Sequence, residues 1–151
     1  MLGLDHPPGD VFDYQITPLK ALIDILTNDF RGAFEMDDLA IVSHHAVMHK
    51  TLLTEHPHVF HGAGELLTQS ELDEQYPAAR EAFDRRVARF RELSGPVCFV
   101  RAEAMSLKQT ASLQAALGDR KLITCNSSAS VNWWGDNGAW DDFWASHLSL
   151  V

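Results

Sequence analysis

The sequence predicts an α/β domain, a three-layer sandwich with a mostly parallel central sheet. Short apolar runs alternate along the chain with segments of helical period. The runs are continuously apolar, as strands buried on both faces are, so helices are expected on both sides of the sheet. The chain's 151 residues make one domain of 1–151 the simplest division.

The elements follow in order. Thr17-Pro18 reads as a helix start, a capping hydroxyl before a proline at the first helical position. Leu19, Leu22, Ile23, Leu26 and Phe30 then recur at helical spacing. Leu39 to Ser43 is a short apolar run after an acidic turn, the pattern of a buried strand, and His44 to Leu53 is ambiguous, with a short helix as one reading. His58 to His61 reads as a further short strand, closed by Gly62 and Gly64. Pro77 opens the longest helix, with Phe83, Val87, Phe90 and Leu93 as its core stripe and Gly95-Pro96 as its stop. Pro96 to Val100 is the clearest strand. Leu107 to Leu117 is a helix with Gly118 at its C-cap, and Lys121 to Cys125 is another buried strand. Trp140, Phe143, Trp144, His147 and Leu148 mark a final one-sided helix.

Composition limits the function. A net charge of −9 speaks against general nucleic-acid binding, which needs clustered cations. Arg80, Arg85, Arg86, Arg89 and Arg91 cluster on one predicted helix and read as a solvated face. No apolar run is long enough to span a membrane, and Met1 to Asp10 lacks the basic-then-apolar layout of a signal peptide. A cytoplasmic location is therefore expected. Cys98 and Cys125 form no disulfide framework, and their strand positions make them small core hydrophobes rather than thiolate nucleophiles.

In a parallel sheet, ligands bind beyond the carboxyl ends of the strands. Those ends carry His44 and His45, Arg101 and Glu103, and Asn126, Ser127 and Ser128, with Trp134 in a nearby aromatic loop. Arg101 reads equally as an anion anchor or as an ion-pair partner of Glu103. Six of the eight histidines fall between His44 and His61. On a helix, His45 and His49 would share a face that zinc could bridge, but the spacing matches no standard metal motif, and neither a metal nor a cofactor is expected. Asp13, between Phe12 and Tyr14, reads as a turn residue or as an acid that orients a histidine.

Several segments together resemble a bacterial family of papain-like cysteine peptidases whose activity is itself inferred. They are Phe12-Asp13-Tyr14, Thr17-Pro18, Asn28-Asp29-Phe30, Val59-Phe60-His61-Gly62, Arg85-Arg86-Val87-Ala88-Arg89-Phe90 and Phe99-Val100-Arg101. The double-arginine helix followed by the Phe-Val-Arg strand is the most specific part. The resemblance implies a papain-like α+β fold as the alternative to the α/β sandwich. It also implies a site of His61 as general base, Asp13 as its orienting acid and Arg101 as a carboxylate anchor. The family's cysteine lies in a Gly-x-x-Cys segment upstream of the Phe-Asp motif, whereas this chain begins Met1-Leu2-Gly3-Leu4. The expectation is a member missing an N-terminal strand and part of the first helix, without hydrolytic activity in this form. The other reading is a non-catalytic binding module for an anionic or carbohydrate ligand, held by Arg101, Glu103, Asn126, Ser127 and Trp134. The expected partner is thus a small molecule, peptide or carbohydrate, not a nucleic acid or a membrane.

Overall fold

A computed structural model describes residues 11–12, 15–93, 98–101 and 105–124. The chain divides into two compact units, Met1–Leu93 and Ser94–Val151.

In the first unit, helix α1 spans Leu19–Thr27. Pro18 itself occupies the N-cap position and no side chain caps the helix, so Thr17 does not take the capping role its sequence suggests. Ala21 and Ile25 are the fully buried positions of α1, flanked by half-buried leucines. The helix ends in a Schellman motif. The Phe30 amide donates to the Ile25 carbonyl at 2.9 Å and the Asp29 amide to the Leu26 carbonyl at 3.1 Å. Asp29 takes the left-handed position usually given to glycine, at φ 50°. Arg91 holds it there with a bidentate pair to its carboxylate, 3.0 and 2.9 Å, and a third bond to its carbonyl.

After a single 3-10 turn, Met36–Asp38, come three short strands, β1 (Leu39–Ile41), β2 (Ala46–His49) and β3 (Glu55–Pro57). They form an antiparallel sheet in the order β1-β2-β3, with Leu39 opposite His49 and Ala46 opposite Pro57. Ile16 extends the β3 side through two backbone bonds to Glu55.

The mostly parallel three-layer sandwich is therefore incorrect for this chain, and the α+β alternative fits. The reason is local. His44 to Leu53 supplies a strand and a tight turn instead of a helix, and strands joined by such short connections must run antiparallel. The predicted strand His58 to His61 is also displaced. The strand proper is Glu55–Pro57, and His58 turns the chain out of it with φ 62°.

Helix α2 runs from Gln69 to Glu92, well before the proline expected to open it. A capping box starts it. The Thr68 hydroxyl accepts from the Glu71 amide at 3.2 Å, while the Glu71 carboxylate accepts from the Thr68 amide at 2.8 Å. Pro77 lies inside the helix, where it lacks an amide to offer the preceding turn. The expected stripe holds at Phe83, Val87 and Phe90, which are buried, but Leu93 is 40% exposed. Those rings join an aromatic seam. Phe30 meets Phe90 at 5.2 Å and Phe12 at 5.8 Å, and Phe34 stacks on Phe83 at 5.0 Å and on Tyr76 at 5.8 Å. Edge and offset arrangements of this kind add about 0.5–1.5 kcal/mol per pair beyond area burial.

The second unit contains the one parallel pairing among the described residues. Strand β4 (Cys98–Arg101) pairs with β5 (Lys121–Thr124), Cys98 opposite Lys121 and Arg101 opposite Thr124. Helix α3, Leu107–Leu117, connects them with Leu113 and Leu117 buried, and Gly118 forms its C-cap at φ 65° as the sequence predicts. Gln114 straps the return loop: its amide nitrogen donates to the Gly118 and Arg120 carbonyls, and its oxygen accepts from the Leu122 amide. Among the described residues, no helix is long and apolar enough to cross a membrane.

Candidate functional site

The histidine-rich segment separates into two groups with different tasks. His49 and His56 are buried, each 3% exposed, and both serve the fold. The His49 Nδ1 accepts from the Thr51 and Leu52 amides at 3.2 and 3.1 Å, which places the ring proton on Nε2, 2.9 Å from the Gly32 carbonyl oxygen. The ring thereby braces the turn between β2 and β3. His56 lies edge-on to Phe34 at 4.7 Å, and burial, with a smaller contribution from His49, pushes its pKa down to about 4. Uncharged imidazole is the form this apolar site accepts.

The second group faces outward. The turn Ser43-His44-His45 enters β2 and is cradled by the loop that follows β3. The His58 amide donates to the His45 carbonyl at 2.7 Å, the Gly62 amide to the His44 carbonyl at 2.6 Å, and the Leu67 amide to the Ser43 carbonyl at 3.2 Å. These bonds gather the side chains. His45 Nδ1 lies 2.9 Å from His44 Nε2, and the His45 ring stacks on His58 with centroids 4.7 Å apart and planes 4° from parallel. The His45 pKa is lowered, first by desolvation, then by His44 and His58, with Glu55 opposing and His61 adding a smaller push.

Gly62 is required by this packing. A Cβ there would lie 2.9 Å from the Leu67 Cα and 3.1 Å from the His44 carbonyl oxygen. The glycine at this position thus has a steric reason.

His61 itself is exposed, and its backbone is clasped by Gln75 of α2. The His61 amide donates to Gln75 Oε1 at 2.8 Å, and Gln75 Nε2 donates to the His61 carbonyl at 2.9 Å. Beside this clasp, a surface groove of about 400 Å³ is lined by His58, Val59, Gln75, Ala78, Ala79, Ala82 and Arg86. Its lining combines three alanines and a valine with a histidine, a glutamine and an arginine. A smaller cleft of about 220 Å³, between the end of α1 and the β2–β3 turn, includes Asp24, Asp38 and Arg31.

Of the residues expected to form a site, His61 is in the outer group and Arg101 is the last residue of β4, in the other unit. Asp13, Glu103, Asn126, Ser127 and Trp134 lie outside the described residues. His45 and His49 do not share a helix face, because both belong to the β2 hairpin, where His49 turns to Gly32 and His45 to His58. Among the described residues, no three His, Cys, Asp or Glu side chains are grouped so as to hold a metal ion.

No family model matches the chain, and neither a curated protein nor a solved structure is similar to it. The resemblance to papain-like peptidases therefore rests on its sequence segments alone. Among the described residues, the His61 imidazole has no hydrogen-bond partner, whereas His58 and Arg86 both line one groove. The sequence reading gives neither a binding role: Arg86 reads as part of a solvated face and His58 as the start of a strand. A signal was present: Gln75, Ala78, Ala79, Ala82 and Arg86 recur at i, i+3, i+4, i+7 and i+11, a face of small residues ending in a cation.

Proposed function

We propose that the first unit is a non-catalytic binding module for a small organic carboxylate, held in the groove along α2. The observation that carries this reading is that Arg86 and His58 line the same groove as Ala78, Ala79 and Ala82. A guanidinium presents a planar fork that matches a carboxylate, and an alanine surface accommodates a short aliphatic body. The volume falls in the range of about 300–1,000 Å³ usual for small-molecule sites. Gln75, already spent on the His61 backbone, supplies position rather than recognition.

The test is a titration of the ¹⁵N-labelled chain with butyrate, succinate, inorganic phosphate and glucose. Butyrate or succinate should shift the amides of Ala78, Ala79 and Ala82, and Arg86→Gln should weaken that response about tenfold or more, the loss of a charge-assisted bond. Shifts produced by glucose alone would favour a carbohydrate ligand instead. Silence toward all four compounds would remove the groove as a binding site.

A further inference from the structure

We infer that His44 and His45 form a two-histidine chelate for a divalent transition ion that favours right-angle coordination, copper(II) or nickel(II). The inference does not rest on the groove. It starts from a distance: His44 Nε2 and His45 Nδ1 lie 2.9 Å apart. Imidazole nitrogens bind a divalent ion such as zinc at about 2.0–2.1 Å, so two of them on one ion stand about 2.9 Å apart at a right angle and about 3.3–3.4 Å apart at the tetrahedral angle. The observed separation matches the right angle. Square-planar and tetragonal sites of nitrogen and oxygen ligands suit copper(II) and nickel(II), whereas zinc takes tetrahedral ones. This pair differs from His45 and His49, whose rings turn to separate partners.

The turn that carries the pair is fixed before any ion arrives. The carbonyls of Ser43, His44 and His45 each accept a backbone amide from the loop after β3, and the His45 amide donates to the Ser43 hydroxyl at 3.3 Å. The His45 ring is held by its parallel stack on His58, and the His44 ring stands against it with planes 74° apart. Without an ion, one of the two facing nitrogens donates its proton to the other. Both lone pairs reach an ion when each neutral ring carries its proton on the outer nitrogen, His44 Nδ1 and His45 Nε2. The pair thus changes tautomer and releases no net proton. A ligating imidazole must be uncharged. The His45 pKa is lowered, chiefly by desolvation and then by His44 and His58, which favours that state. The Glu55 charge acts on the same ring with the opposite sign and favours a cation beside it. His44 is exposed, so the ion is reached from solvent. With no third protein ligand grouped there among the described residues, water fills the remaining positions.

The experiment titrates the full chain with nickel(II) chloride and with zinc(II) chloride by calorimetry near neutral pH, in the wild type, His44→Ala and His45→Gln. Nickel should bind the wild type more tightly than zinc does. Each variant should lose at least about tenfold in nickel affinity, the lower end of what even an outer partner's loss costs a metal site. His45→Gln gives the same answer where His44→Ala disturbs the turn. Substoichiometric copper(II) then locates the site in the ¹⁵N-labelled chain. Its paramagnetic broadening should be strongest at the amides of His44, His45 and Ala46 and at His58, whose amide is bonded to the His45 carbonyl. Unchanged nickel affinity in both variants, or broadening centred on another segment, would overturn the site. Zinc bound as tightly as nickel would overturn the right-angle assignment, and the absence of saturable binding by nickel would overturn the proposal as a whole.

Discussion

Replacing Gly62 by alanine tests whether the outer histidine group is organised by backbone packing. No positive φ is required at this position, so an alanine is conformationally admissible and restricts the unfolded chain, a gain of about 0.4–1 kcal/mol in an open site. The site is not open. The new Cβ would sit 2.9 Å from the Leu67 Cα, 3.1 Å from the His44 carbonyl oxygen and 3.2 Å from the Leu67 nitrogen. All three are backbone atoms, which cannot rotate away as a flexible side chain could. Forced overpacking of this kind costs about 1–3 kcal/mol, so a net local destabilisation of about 1–2 kcal/mol is expected. It should appear where the strain is relieved, at the bonds from residue 62 to His44 and from Leu67 to Ser43. Amide hydrogen exchange reads this directly, and about 1.4 kcal/mol is a tenfold faster exchange for a locally opening bond. Both amides should exchange roughly five- to thirtyfold faster in Gly62→Ala, while Phe83 and Val87, on the buried face of α2, stay as protected as before. Equal protection at residues 62 and 67 in the two proteins would refute the steric argument.

Two further outcomes follow from the buried and capping groups. His56 is uncharged in the fold, with a pKa near 4 against about 6.5 when unfolded, so the unfolded state binds the extra proton between those values. Its contribution is fully present above about pH 6.5 and is lost as pH falls toward 4, roughly 3 kcal/mol in all; urea midpoints at pH 7 and 4.5 should diverge in the wild type and converge in His56→Leu. Thr68→Ala removes the hydroxyl half of the α2 capping box and should cost about 1 kcal/mol. In the same variant the Glu71 carboxyl, held low by the Ala63 amide and by the Thr68 amide and hydroxyl, should move up toward the usual carboxylate range without reaching it, as read by ¹³C titration.

Where each element left its mark in the sequence explains what could be read there. Phe83, Val87 and Phe90 were legible because one helix buries one stripe, and α3 because Leu113, Leu117 and Gly118 combine period with a stop. Pro77 misled, since a proline reads as a helix start only where nothing earlier competes. The stronger start, Thr68-Gln69-Ser70-Glu71, has the capping-box spacing and lies in plain view. The segment His44 to Leu53 was opaque for a different reason. In β2, Ala46, Val47 and His49 are all buried, so neither the two-residue nor the 3.6-residue period emerges, and the antiparallel hairpin stayed hidden. The site was half visible. The histidine concentration was plain, but the division into bracing rings and outward rings depends on hydrogen bonds between His49 and Gly32 and between Gly62 and His44. The groove needed the opposite kind of attention, to alanines rather than to chemically active side chains.

The clasp of Gln75 on His61 has a consequence for how the groove meets a ligand. A single carboxamide satisfies both the amide and the carbonyl of His61, as a neighbouring strand would, and so rivets the loop to α2 one turn from Ala78 and Ala79. The loop and α2 are thereby joined in the folded chain, and on the proposed binding reading their ordering is settled during folding instead of being charged against affinity. Glutamate at position 75 could accept but not donate, leaving the His61 carbonyl unmatched. The loop is preorganised by one side chain, and the shape of the groove is as rigid as that side chain allows.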